Sequence, residues 1–264
     1  MNAATGPLAT RAAGSGPAVL WLHGYTMDSS LWEPLWERLP GWRHIGVDLP
    51  GHGASAPWEP GASLADTAAR VAEVAREHDA RRMVALSFGS SVALQLAMDR
   101  PELLSHLVLG APTIAGAPNE PGTGRRYAQL SALYLMAGAG EHLTRLWMSS
   151  PPDIFRGTEA HPELRAGIRA VVDRHRWSEL GNGALRAMSE SVHTDDGLSR
   201  ITADTLVTVG DQDMPAFTAA AARLSRALPR CEVAEMVGTG HLCLLEAPDA
   251  AAALIGRQLG PAVR

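Results

Sequence analysis

Residues 84–91 read VALSFGSS, which puts Ser87 between an apolar run and a stretch of helix formers. A serine becomes a nucleophile when a strained strand-to-helix turn exposes its hydroxyl, with small residues two places before and after, where backbone and helix pass closely. Gly89 meets that need; Ala85 exceeds it by one methyl, so the segment is one residue short of G-x-S-x-G. The helix N-terminus behind Ser87 would also turn unpaired N–H groups toward negative charge. Small residues at these positions equally suit an ordinary close-packed turn, so the motif alone leaves both readings open.

A nucleophilic serine needs a base, and the base needs an orienting acid. Of ten histidines, His241 lies in VGTGHLCLLEAP, a Gly-rich loop after the last apolar run. Such a loop at the C-terminal edge of a sheet is where ligands meet α/β folds. His23, before Gly24, and His52, in PGHG, could instead serve or simply hold their loops by hydrogen bonds. The acids are Asp211 and Asp213 in GDQDMPAF. Asp213 is favoured, because it lies further into the loop beside Pro215, which suits a helix start; Asp211 suits a turn. In HGY (23–25), the Tyr25 backbone N–H could face a developing oxyanion, with the Phe88 N–H as second donor. The same HG suits a tight turn after a buried strand.

The elements that must position these groups follow from periodicity. Short apolar runs at 18–22, 43–49, 81–87 and 103–112 read as strands, and 28–39, 63–79 and 89–100 as helices, with Ser63 a candidate cap. Four alternations predict an α/β fold: a mostly parallel, doubly wound sheet with helices on both faces. From 114 to 200 no strand is expected; Gly/Pro breaks separate helical stretches. Alternation returns with strands at 205–210 and 231–237 and helices at 215–228 and 244–259. The expected organisation is therefore a core of 1–113 and 201–264, with 114–200 a helical insertion after the fourth predicted strand.

Composition narrows the function class. The chain has 264 residues, 46% hydrophobic and 19% charged, as for one domain with a large core. Its net charge of −5 favours neither nucleic acid nor an acidic membrane surface as partner. Every one of the 23 basic residues is arginine, and they are scattered. Cys231 and Cys243 have no metal-type spacing and read as buried thiols. No apolar run reaches about 18 residues, and the N-terminus has no apolar signal-peptide core, so a cytoplasmic monomer or homodimer is the expectation. No metal or cofactor is expected, and the partner is a small-molecule substrate.

Taken in order, GSGPAVLWLHGYTMDSSLW, VDLPGHGAS, ALSFGSSVALQLA, TLVTVGDQDMPAF and VGTGHLCLLEAP resemble the signatures of the α/β-hydrolase superfamily over almost the whole chain. The Ser…Asp…His order is that family's own. The resemblance implies Ser87 as nucleophile, Asp213 as acid and His241 as base, with the N–H groups of Tyr25 and Phe88 as oxyanion donors. It implies a helical cap at 114–200, and makes His23 and the DLPGHG loop structural supports. Three features depart from the pattern: Ala85 for glycine, Ser90 for a second glycine, and a short N-terminus that puts the family's first strand in doubt.

The implied activity is hydrolysis of a small to medium, mostly apolar carboxylic ester or lactone through an acyl-enzyme on Ser87. A serine there sets aside the dehalogenases and epoxide hydrolases that use aspartate. The alternatives are thioester or C–C bond hydrolysis, perhydrolysis, a biosynthetic lyase or cyclase using the same site, and a small-molecule receptor with a vestigial triad. Of the insertion's apolar side chains, Trp147 and Met148 are the expected substrate-binding residues. Arg125, Arg126, Arg145, His142, His161, His175 and His193 are expected at the surface.

Overall fold

The computed structural model describes residues 6–262, without the side chains of residues 186 and 189. Its seven strands are β1 (Thr10–Gly14), β2 (Ala18–Leu22), β3 (Arg43–Val47), β4 (Arg82–Leu86), β5 (His106–Gly110), β6 (Asp204–Gly210) and β7 (Cys231–Met236). They form one sheet in the order β1-β3-β2-β4-β5-β6-β7. All neighbours are parallel except β1 with β3. The order turns between β2 and β4, and open α/β sheets bind ligands outside the strand ends at such a switch point. Tyr25 follows β2 and Ser87 follows β4, so the two loops flank it.

Every residue of β2 is buried, the pattern of a central strand covered on both faces. Leu20 and Leu22 join a core shared with α2 (Leu64–Glu77), α3 (Phe88–Asp99) and α10 (Pro215–Ala227). Val19 and Trp21 face the opposite core, with α1 (Glu33–Trp36) and α12 (Pro248–Leu259). The period-two alternation of side chains thus divides one strand between two cores. Ser63 does cap α2: its hydroxyl accepts from the Asp66 N–H while the Asp66 carboxylate accepts from the Ser63 N–H.

Between β5 and β6 the chain forms α4 (Thr123–Ala137), α5 (Glu141–Trp147), α6 (Pro162–Asp173), α7 (Glu179–Asn182), α8 (Ala184–Ser189) and α9 (Asp195–Leu198). In α6 only Ile168, Val171 and Val172 are buried, an i, i+3, i+4 stripe. Ile168 and Val172 of this stripe, with Leu130 of α4 and Trp147 of α5, join the core on the α12 side.

Three details differ from the sequence-based expectation. A first strand is present after all: β1, TRAAG, pairs from Thr10↔Val47 to Gly14↔Arg43. All five of its residues are exposed, so it carries no apolar alternation to announce it. The helix expected at 28–39 is a single 3₁₀ turn over Ser29–Trp32 followed by α1. The closing helix is broken by Pro248 into α11 (Cys243–Glu246) and α12.

Candidate active site

Ser87 sits between β4 and α3 at φ 51 and ψ −120, a conformation that L-residues rarely adopt and that costs on the order of 1–3 kcal/mol. Its surroundings hold it there. The Ser87 N–H donates to the Gly110 carbonyl at 2.9 Å, and its own carbonyl accepts from the Ser90 N–H at 2.8 Å and the Thr113 hydroxyl at 3.0 Å. Ser91 Oγ lies 2.6 Å from Thr113 Oγ1, extending the hydroxyl network. Gly89 lies against β2 so closely that an added Cβ would come within 2.7 Å of the Leu22 and His23 carbonyl oxygens. The two departures from the elbow pattern meet each other: the Ser90 hydroxyl donates to the Ala85 carbonyl at 3.4 Å, and the Ala85 side chain joins the α2–α3 core.

The loop after β7 brings His241 to this serine. His241 Nε2 stands 2.8 Å from Ser87 Oγ, and Nδ1 stands 3.2 Å from both carboxylate oxygens of Asp213. A carboxylate can only accept, so Nδ1 carries the proton and Nε2 is left to accept from the serine hydroxyl. The imidazole is 1% exposed and the carboxylate 0%, so the pair works out of bulk water. The Met214 N–H donates to Asp213 Oδ1 at 2.7 Å, and the Phe217 ring packs 4.1 Å from the imidazole. Asp211 instead accepts from the Gly238 N–H at 2.8 Å and closes a turn.

Glu246, which sequence reasoning passed over, braces the histidine loop. It is buried, and its carboxylate accepts from the Gly240 N–H at 2.6 Å and the Leu242 N–H at 3.0 Å, on either side of His241. Its place in the sequence, two residues before a Pro-initiated helix, was the one available signal. Thr113 and Ser91 left no signal, because their role depends on a fold that brings β5's exit beside Ser87.

His23 and His52 are structural. His23 Nδ1 donates to the Gly24 carbonyl and Nε2 accepts from the Leu49 N–H at 3.0 Å. His52 Nδ1 donates to the Pro50 carbonyl and Nε2 accepts from the Thr26 N–H at 3.1 Å. Burial lowers the pKa of both, His52 by far, so each ring stays neutral and able to accept.

A cavity of about 700 Å³ opens onto Ser87 and His241. Tyr25 and Phe88 also line it; among the described residues the Tyr25 N–H has no hydrogen-bond partner, and the Phe88 N–H has none outside α3. Its walls are largely apolar, with Leu64, Ile114, Tyr127, Leu185 and Met188 among them. Trp147 lines it too, its indole N–H donating to Thr26 Oγ1 at 2.8 Å. Met148, expected beside it, is not among the described lining residues; one position on, its side chain packs into the core instead. Glu120 lines the cavity and accepts from the Ala216 N–H at 3.2 Å, at the start of α10.

Three residues expected at the surface are buried. The Arg126 guanidinium donates to Ser149 Oγ and the Pro151 carbonyl; His193 Nδ1 accepts from the Ala115 N–H; His175 pairs with Glu179. Arg126 and His193 close contacts between separated segments, and the His175–Glu179 pair, four residues apart, is enclosed by the Tyr25 and His52 rings, which is why polarity alone misplaced them. Cys243 is buried as expected, while Cys231 is half-buried on the edge strand β7. Among the described residues, no helix is long and apolar enough to cross a membrane.

The family model for the alpha/beta hydrolase family matches residues 19–254. The chain belongs to the alpha/beta hydrolase family. This alpha/beta hydrolase is 30% identical over 260 residues to lipase LipV of Mycobacterium tuberculosis, covering 94% of this chain and 95% of that protein. It is 28% identical over 264 residues to the dihydrolipoyllysine-residue acetyltransferase component of the acetoin cleaving system of Cupriavidus necator. That match covers 95% of this chain but only 65% of the other, so the chain spans less than two thirds of that relative's length. Among solved structures, a thermophilic esterase from Thermogutta terrifontis superposes with a TM-score of 0.79 at 25% identity, covering 96% of this chain and 92% of that one.

Proposed function

We propose that this alpha/beta hydrolase cleaves a small to medium, mostly apolar carboxylic ester or lactone through an acyl-enzyme on Ser87. The observation that carries the reading is the hydrogen-bonded line Ser87–His241–Asp213, assembled from three loops at one sheet edge. The lipase and esterase names of its relatives support ester chemistry, and the apolar cavity supports an apolar substrate.

In this mechanism Ser87 Oγ attacks the ester carbonyl carbon as His241 Nε2 takes its proton. The carbonyl π electrons move onto oxygen, and the N–H groups of Tyr25 and Phe88 receive that charge. Asp213 holds the imidazole in the required tautomer and stabilises the imidazolium. The C–O bond to the alcohol then breaks, and His241 returns the proton to the leaving oxygen. Water, deprotonated by the same Nε2, attacks the acyl carbon, and Ser87 leaves with the proton to release the acid. The insertion, residues 114–200, acts as a cap that supplies Trp147 and Tyr127 to the cavity wall.

The test is direct. A serine-directed phosphonate, followed by intact mass and peptide mapping, is expected to give one adduct at Ser87. Ser87→Ala is expected to abolish labelling and lower p-nitrophenyl ester turnover by about 10⁴-fold or more. Retained turnover in that variant, with the fold intact, overturns the assignment.

A further inference from the structure

The loop that offers the Tyr25 N–H is closed by a turn, with the Met27 N–H donating to the Gly24 carbonyl at 3.2 Å, and is tied to other segments as well. Thr26, a β-branched residue, sits at φ 62, a left-handed conformation that its branched side chain disfavours and that the surroundings must impose. Three side-chain hydrogen bonds tie Tyr25 and Thr26 to other segments of the chain. His52 accepts from the Thr26 N–H at 3.1 Å, Trp147 donates to Thr26 Oγ1 at 2.8 Å, and the Tyr25 hydroxyl donates to Glu179 Oε1 at 2.6 Å. Two of the three come from the helical insertion, at Trp147 in α5 and Glu179 in α7.

Glu179 is the unusual partner. It is 1% exposed, and its Oε1 also lies 2.9 Å from His175 Nε2, while Oε2 has no hydrogen-bond partner among the described residues. A carboxylate buried this deeply, and only half satisfied, is costly to keep. A contact needed only to glue the insertion down would be met by an apolar side chain of similar volume. The carboxylate instead meets the side chain of Tyr25, a cavity-lining residue whose backbone N–H is one of the two proposed oxyanion donors. The loop lies directly against that nucleophile: a Cβ placed on Gly24 would stand 3.4 Å from Ser87 Cβ. Small shifts of the loop therefore change the distance from the Tyr25 N–H to any oxygen bonded at the reacting carbon. The Tyr25 ring is otherwise enclosed by rings, with Trp147 at 5.4 Å, Tyr127 at 5.7 Å and His52 and His175 at 5.9 Å, so among the described residues the hydroxyl is that side chain's only hydrogen-bonding tether.

We propose that Glu179 is a positioning residue: its carboxylate, supplied by the insertion, holds the Tyr25 side chain and so fixes the Tyr25 N–H as an oxyanion donor. The proposal rests on the serine-hydrolase reading of Ser87. It makes the insertion part of the catalytic geometry and not only a wall around the substrate.

Turnover of a p-nitrophenyl ester by Glu179→Leu, Glu179→Gln, Tyr25→Phe and the double variant Tyr25→Phe/Glu179→Leu tests this, with folding followed by near-UV circular dichroism. Glu179→Leu and Tyr25→Phe are each expected to lower kcat roughly 10- to 100-fold, as a misplacement of about an ångström does. KM should stay within about threefold, because the lost contact acts on the transition state. The double variant should be no worse than either single one, and Glu179→Gln, which keeps an acceptor oxygen, should retain most activity. Affinity for a trifluoromethyl ketone, whose serine adduct carries an oxyanion, should fall in step with kcat/KM. Unchanged kcat in a folded Glu179→Leu protein that still labels at Ser87 overturns the positioning role alone. So does a loss of kcat with ketone affinity intact. If Glu179→Leu does not fold, Tyr25→Phe decides by the same criteria. A wild-type protein that neither turns over ester nor labels at Ser87 overturns the underlying reading as well.

Discussion

Replacing Gly89 by alanine tests how tightly the turn at Ser87 is tied to the sheet. The added Cβ would stand 2.7 Å from the carbonyl oxygens of Leu22 and His23, where ordinary contact begins at 3.4 Å. One side must retreat by 3.4 − 2.7 = 0.7 Å. β2 is locked between β3 and β4, so the retreat falls on the N-terminus of α3 and carries Ser87 with it. A misplacement of about an ångström costs on the order of 10²-fold in rate, so kcat for a p-nitrophenyl ester is expected to fall roughly 10- to 100-fold. Overpacking costs about 1–3 kcal/mol, offset by up to about 1 kcal/mol of helix propensity gained by replacing glycine. Stability in urea should therefore drop by about 3 kcal/mol or less. The contrasting variant is Ala85→Gly, which restores the more usual glycine. It deletes one buried methyl, worth about 0.8 kcal/mol, and adds about 0.5–1 kcal/mol of glycine entropy in the strand. It should lower stability by about 1–2 kcal/mol and leave kcat unchanged. Wild-type turnover in Gly89→Ala, or a tenfold change in Ala85→Gly, refutes the reasoning.

Three further outcomes are expected. Asp213→Asn puts an amide beside His241 Nδ1, frees the wrong tautomer, and should lower kcat by about 10⁴-fold with the melting temperature little changed; a loss under tenfold would count against Asp213 as the orienting acid. Glu246→Ala strands the buried N–H groups of Gly240 and Leu242, at about 1–3 kcal/mol each, so urea unfolding should show a loss of about 2–5 kcal/mol and kcat should fall as the His241 loop loosens. A loss under about 1 kcal/mol would show that the loop holds itself. Acid should destabilise the protein before its carboxylates titrate. His23, His44, His52 and His193 are buried with lowered pKa, His193 to about 4, mainly through desolvation. The unfolded chain binds protons there below about pH 6.5 while the folded chain does not, so stability present above 6.5 is lost on going down toward pH 4. The slope approaches about 1.4 kcal/mol per pH unit for each histidine involved, and urea midpoints measured from pH 7 to 5 should fall accordingly; a flat profile would refute it.

The sequence by itself determined the parallel strands, because a strand covered on both faces must be a short, nearly continuous apolar run. AVLWL, RMVAL and HLVLG are such runs. It also placed Ser87, Asp213 and His241 at strand ends, since each follows an apolar run at a Gly- or Pro-rich break, and it gave their order along the chain. β1 stayed hidden because an exposed edge strand such as TRAAG needs only backbone pairing with β3 and leaves no mark in side-chain type. The burial of His175, Glu179 and Arg126 was equally out of reach, for what encloses them comes from other segments: Tyr25 donates to Glu179, the Tyr25 and His52 rings pack on His175, and the Pro151 carbonyl accepts from Arg126. The near-miss at Ala85 was legible as a difference but not as a consequence. Only the folded chain decides that its methyl joins the α2–α3 core and that Ser90 bonds its carbonyl. In the same way, nothing local in HGY foretells that a carboxylate 154 residues away holds Tyr25. Local sequence specifies where the chain runs straight, coils or turns; which side chains then meet across those elements is set by the packing of the whole domain.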